Sequence, residues 1–133
     1  MSTTLKIRDE TTSSAGGEGG EFTLEVLTER ISLRELIRTR VYQEVRDYNL
    51  RQPEYFCGLV QPSDAERTLN GYKMRRRRRL DPQRQFEGAI ESFNRNGFFV
   101  LVNDRQVEDL EEEIEIRPDT TVAFLKLVPL IGG

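Results

Sequence analysis

Thr121-Thr-Val-Ala-Phe-Leu-Lys-Leu-Val-Pro-Leu-Ile-Gly-Gly133 decides how the rest of the chain is read. Val122 to Val128 is an apolar, β-branched and aromatic run interrupted only by Lys126, which suits a strand buried on at least one face. Pro129 has no amide hydrogen to give a ladder, so pairing is expected to fail there. Leu130, Ile131, Gly132 and Gly133 then follow as a flexible tail over 129–133 that ends on a carboxylate. Two glycines without Cβ atoms fit a channel too narrow for any other residue. A chance ending or a cloning scar would leave the same two glycines. The strand before them, and the hairpin-like segment before that, weigh on the other side.

The chain has 133 residues, enough for one domain of ordinary size. Its hydrophobic fraction is 36% and its charged fraction 32%, so one modest core with polar extensions is expected. A net charge of -3 argues against nucleic-acid binding by the chain as a whole. The single cysteine, Cys57, excludes an intramolecular disulfide and fits a reducing compartment. No apolar run is long enough to span a bilayer and no signal-peptide core opens the chain, so no membrane is expected and cytoplasm is the expected location. Histidine is absent, which removes Ser-His-Asp and Cys-His catalysis and any histidine metal site. No metal and no catalytic residues are expected.

From the N-terminus, Thr4 to Glu10 alternates with Leu5 and Ile7 on one side, the period of a half-buried strand. Thr11 to Gly20 is a Gly/Ser loop; a phosphate cradle is the alternative, but it lacks the Lys-Ser/Thr ending. Glu21 to Thr28 alternates again through Phe22, Leu24 and Val26, giving a hairpin. Ser32-Leu-Arg-Glu35 is a capping box. Leu33, Leu36, Ile37, Val41, Val45 and Tyr48 follow at helical spacing, with Arg34, Arg38, Arg40, Glu44 and Asp47 expected to face water. The helix should end before Pro53 and cover the sheet.

Pro53 to Gly97 reads as an insertion, partly helical. Ser63 to Leu69 is expected to open a short helix with Ser63 as its cap. Asp81-Pro82 starts a firmer one, with Phe86, Ala89, Ile90 and Phe93 on one face and Asn96-Gly97 as its stop. Between them Arg75, Arg76, Arg77, Arg78 and Arg79 form a basic run. Such a run contacts phosphates, or complements acids such as Glu111-Glu-Glu113. Without interleaved aromatics the second role is favoured, as a solvated or protein-contacting patch. Cys57 has no histidine or second cysteine near it in sequence, which suits an inert, partly buried thiol. Phe98 to Asp104 is a strand entering a turn, Arg105 to Leu110 a brief edge strand, and Arg117-Pro-Asp-Thr120 the turn that opens the final strand.

Strand, strand, helix, insertion, strand, short strand, strand, then Gly-Gly: this order resembles the β-grasp fold of ubiquitin and of the small sulfur carriers of molybdopterin and thiamine biosynthesis. Val100-Leu-Val-Asn-Asp-Arg-Gln-Val-Glu-Asp-Leu110 looks like ubiquitin's third strand, turn and fourth strand. Asp119-Thr-Thr-Val-Ala-Phe-Leu125, then Val128-Pro129 and Gly132-Gly133, look like the molybdopterin-type ending. The first two strands and the helix agree in spacing only. The chain departs from the family in its insertion and in Leu130-Ile131, apolar where ubiquitin is basic. The resemblance implies a single α+β β-grasp domain over 1–133, a mixed sheet on one main helix.

It also implies that Gly133 and Gly132 are adenylated by a partner enzyme using ATP, with no cofactor bound by the chain itself. Pro129, Leu130 and Ile131 would be read by that enzyme, and the sheet around Leu101 and Phe124 would dock it. The chain would then be no enzyme but the substrate of one. Conjugation to target proteins further implies a conjugating enzyme and a deconjugating protease. A thiocarboxylate-bearing sulfur carrier is the alternative within the family. Outside it stands an interaction module that uses the arginine run and no terminal chemistry.

Overall fold

The computed structural model describes residues 3–11, 20–68, 71–75 and 78–127. It is α+β, with a mixed sheet and two helices. In chain order the elements are β1 (Thr3–Thr11), β2 (Glu21–Val26), β3 (Arg30–Ser32), α1 (Leu33–Arg51), β4 (Tyr55–Phe56), β5 (Ala65–Thr68) and β6 (Gly71–Met74), followed by α2 (Pro82–Asn94), β7 (Phe98–Val102), β8 (Arg105–Val107), β9 (Glu113–Glu115) and β10 (Thr121–Lys126). Where the sequence suggests one domain with an insertion over 53–97, the chain divides into two compact units. One is Met1–Leu36 with Phe93–Gly133, the other Ile37–Ser92. The second starts inside α1 because side chains of that helix bond directly to the segment after it.

In the first unit five strands run in the order β2-β1-β10-β7-β8. All neighbours are antiparallel except β1 and β10, which are parallel from Lys6↔Thr121 to Thr11↔Lys126. The last strand is therefore central. Alternation sends Leu5, Ile7, Leu24, Val26, Phe98, Val100, Val107, Val122 and Phe124 to one face, where all are buried. Phe98 lies between Phe93 and Phe124, with ring centroids 5.7 and 6.0 Å away. The β7–β8 turn places both Asn103 (φ 49°) and Asp104 (φ 69°) in left-handed backbone, the requirement of a two-residue hairpin whose twist matches its strands. Glu111 to Pro118, where Ile114 and Ile116 alternate with acids, supplies β9. That strand pairs with β3, Ile31 opposite Ile114.

The first turn of α1 belongs to this unit. Ser32 Oγ accepts the Glu35 amide at 3.2 Å, the expected cap. Leu33 N–H and Arg34 N–H donate to the carbonyls of Glu112 and Leu110 at 3.0 and 2.9 Å. Those bonds satisfy amides that a helix start leaves without intrahelical partners.

In the second unit two expectations fail. Ala65–Thr68 is not helical: it is β5, antiparallel to β6, in a sheet ordered β4-β6-β5. Asn70-Gly71 is turn chemistry, and Gly71 (φ 122°) occupies backbone that side chains rarely adopt. A hairpin forms where a Ser cap suggested a helix. Arg40 and Glu44, expected to face water, turn inward. Arg40 is 1% exposed and its Nε donates to Glu44 Oε1 at 2.5 Å. Glu44 Oε2 accepts the Leu59 amide at 3.0 Å, tying the chain after β4 to the helix. The Tyr48 and Phe56 rings meet edge to face at 5.5 Å, and Asn49 bonds both Leu80 N–H (2.8 Å) and Leu80 C=O (3.0 Å).

Asp81 caps α2 as expected, its Oδ1 accepting the Gln83 amide at 2.9 Å. Gln85 lies buried on that helix and donates to Val60 C=O at 3.3 Å. Gly58 sits against this arrangement so closely that a Cβ would fall 2.1 Å from Phe56 Cζ and 2.6 Å from Glu44 Oε2. Gly58→Ala is therefore expected to destabilise the protein by about 1–3 kcal/mol, as overfilled cores do. Urea denaturation checks it; an unchanged midpoint would mean that Phe56 swings aside freely.

Candidate functional site

β10 leads from a closed turn to the tail. At its start, Thr120 N–H donates to Arg117 C=O at 3.0 Å and Arg117 N–H to Thr120 Oγ1 at 2.9 Å, closing the expected turn. Thr121 N–H donates to Asn103 Oδ1 at 3.0 Å, so the β7–β8 turn holds the strand's first residue. At its far end Lys126 stands opposite Phe98, and Leu127 N–H donates to Gly97 C=O at 3.1 Å. Leu127 is 41% exposed. Val128, Pro129, Leu130, Ile131, Gly132 and Gly133 lie outside the described residues, so neither the proline stop nor the Gly-Gly terminus has a described position. What is described is where the chain leaves the sheet: the middle, between β1 and β7.

The sheet face opposite the core is built from the alternate residues. Leu101 stands across from Ala123 and Phe99 across from Leu125, while Arg8 and Glu10 of β1 flank Ala123 and Leu125 from the other side. Phe99, Leu101 and Leu125 are half-buried, and Arg8 and Glu10 form an ion pair at 3.0 Å. A small apolar cluster therefore lies on the charged face of the sheet, beside the exit. Leu101 belongs to it. Phe124 does not: the register sets it opposite Val100 on the core face, and it is fully buried. Phe99, Ala123 and Leu125 were missed, although the period of two in Phe98–Val102 and Thr121–Lys126 separates the faces once antiparallel pairing is assumed.

An open groove of about 500 Å³ lies at the other end of β10, lined by Asn103, Arg105, Glu113, Glu115, Arg117 and Asp119 among others. The length of β10 separates it from the exit by about 20 Å. Its cations are engaged, Arg117 with Glu115 at 3.0 Å and Arg105 with Glu112 at 2.6 Å.

The arginine run is divided. Arg75 and Arg79 are exposed, and Arg78 is half-buried and donates to the Ser63 carbonyl and hydroxyl. Arg76 and Arg77 lie outside the described residues, as do residues 12–19 of the Gly/Ser loop. Cys57 is exposed rather than partly buried. Burial pushes the Tyr72 hydroxyl above its ordinary value, opposed by Arg67 and reinforced by Glu44. It is protonated at neutral pH, a donor and not a base. Among the described residues no group of three metal-ligating side chains occurs and no helix is long and apolar enough to cross a membrane. Comparison with protein-family models, curated proteins and solved structures gives no match.

Proposed function

We propose that the first unit is a β-grasp domain, and that the chain is a ubiquitin-like modifier. In this reading it is activated at the Gly133 carboxylate by an ATP-dependent adenylating enzyme and conjugated to target proteins. One observation carries the reading: the strand order β2-β1-β10-β7-β8, with the final strand central and parallel to the first. That order supports the β-grasp assignment and sets the end of β10 in the middle of the sheet.

In the first step a carboxylate oxygen of Gly133 attacks the α-phosphorus of ATP. The bond from that phosphorus to the bridging oxygen breaks and pyrophosphate leaves. A thiolate of the partner then attacks the acyl carbon, AMP leaves, and a thioester forms. A target amine attacks in turn, loses a proton and expels the thiol, leaving an amide. The chain supplies the acyl group and its approach; the partner supplies every catalytic group.

The experiment is expression of the N-terminally tagged chain in its own host. A ladder of tagged species that survives denaturant and reductant is expected, with intact mass confirming that the free protein ends on Gly133. A free-protein mass shifted by exchange of oxygen for sulfur, without a ladder, replaces conjugation by sulfur carriage. Absence of both rejects activation of the terminus.

The apolar cluster supplies the docking surface. Leu101→Glu is expected to lower conjugate yield about tenfold, the effect of losing a central apolar contact. Its cost in folding stability should stay near 1 kcal/mol, since the side chain is only half-buried. A variant with normal yield removes this face from the proposal.

A further inference from the structure

Charge is distributed unevenly between the two units. Ile37–Ser92 carries twelve Arg and Lys against eight Asp and Glu, a net of +4; the rest of the chain carries eight against fifteen, a net of -7. The excess positive charge includes Arg75 and Arg79, both exposed and without an ion-pair partner among the described residues. Arg75 follows Lys73, which β6 sets across from Tyr55 on one side and Glu66 on the other. The excess negative charge is concentrated between residues 108 and 115. There Glu111, Glu112 and Glu115 are held by Arg34, Arg105 and Arg117. Glu108 and Glu113 are exposed and have no ion-pair partner among the described residues.

We infer that Arg75 and Arg79 of one copy bind the acidic segment around Glu108 and Glu113 of a second copy, so that the protein self-associates. Guanidinium groups suit carboxylates because their donors form a planar fork. A protein carboxylate patch suits this surface better than a nucleic acid does. A duplex carries a charge about every 1.7 Å along its axis and needs a long run of cations, whereas Glu54, Asp64 and Glu66 stand in or beside the same small sheet as Lys73. Discrete acids on a folded surface need no such run. Two different surfaces on each copy can meet reciprocally in a two-fold dimer or successively in a longer assembly. The inference does not depend on the chemistry of the tail.

Sedimentation velocity of the full chain tests it. In about 0.01 M salt, where screening reaches about 30 Å, the weight-average sedimentation coefficient is expected to rise with protein concentration; in about 1 M salt, where it reaches about 3 Å, the rise should vanish. Two charge-reversed variants sharpen the test: one carries Arg75→Glu with Arg79→Glu, the other Glu108→Arg with Glu113→Arg. Each alone presents like charges at both surfaces and should sediment as a monomer. Mixed in equal amounts they become complementary again, and association should return. Circular dichroism checks that both are folded. A wild-type coefficient independent of concentration at low salt overturns the inference. So does a mixture that stays monomeric while both variants are folded, and so does a monomer that instead shifts a DNA or RNA oligonucleotide.

Discussion

Deletion of Gly133 is expected to abolish reductant-resistant conjugates, and Gly133→Val is expected to do nearly the same. Deletion leaves the carboxylate one residue short, so the reacting carbon no longer reaches the place where a nucleotide phosphate and then a thiolate await it. Valine keeps the length but adds a branched Cβ next to the acyl carbon. Bond formation needs the reacting atoms within about 3–3.5 Å, and misplacement by about 1 Å costs on the order of a hundredfold in rate. Gly133→Ala, with its single methyl, should fall between valine and the wild type. The β10 ladder ends at Lys126. The free energy of unfolding should therefore change by less than about 0.5 kcal/mol, as for substitutions that touch no core. Blots of denatured extracts, beside urea titrations of the purified variants, separate the two effects. A full ladder from the deletion variant would remove the terminus from the chemistry.

Glu44→Ala is expected to destabilise the protein by about 3 kcal/mol or more. Its carboxylate neutralises Arg40, which is 1% exposed, and accepts the Leu59 amide at 3.0 Å. Removing one member of a buried pair leaves the other charged in a poor solvent, which typically costs about 3–5 kcal/mol. Glu44→Gln retains an acceptor for Leu59 but not the charge, so its smaller loss measures the ion pair, and the further loss on going to alanine measures the backbone bond. Replacing both residues by leucine is expected to recover much of the stability, because neither an unpaired guanidinium nor an unpaired carboxylate remains. Agreement between the double variant and the sum of Arg40→Leu and Glu44→Leu made singly would show that the pair is not coupled. A Glu44→Ala protein within about 0.5 kcal/mol of wild type would mean that Arg40 finds water.

The five-stranded unit was legible in the sequence because its strands alternate and its turns carry specific residues. Leu5 and Ile7 and Phe22 to Val26 each declare a face, Phe98 to Val102 declares a strand, and Asn103-Asp104 declares a hairpin. What could not be read was which face of β10 looks inward. Val122 to Leu125 is apolar at every position, so period gives no direction until β7 fixes the register and sends Phe124 to the core. Arg40 and Glu44 misled for a related reason. They fall at 40 and 44 on the stripe of 33, 36, 37, 41, 45 and 48, where a charge by itself points to solvent. Two opposite charges four residues apart can neutralise each other inside. Ala65 to Thr68 lacks the β-branched run of a central strand, and it pairs from Thr68 opposite Gly71, whose φ of 122° favours glycine. The terminus, the most informative stretch of sequence, belongs to the residues whose structure is not described.

The parallel contact between β1 and β10 also governs how the molecule answers mechanical force. A pull that draws the N-terminal end of β1 and the C-terminal end of β10 apart slides the two strands along each other. The bonds between Lys6–Thr11 and Thr121–Lys126 are then loaded together in shear instead of opening one after another like a zip. A motor hauling on the chain from both ends would meet its greatest resistance at the outset, and little once those strands had slipped.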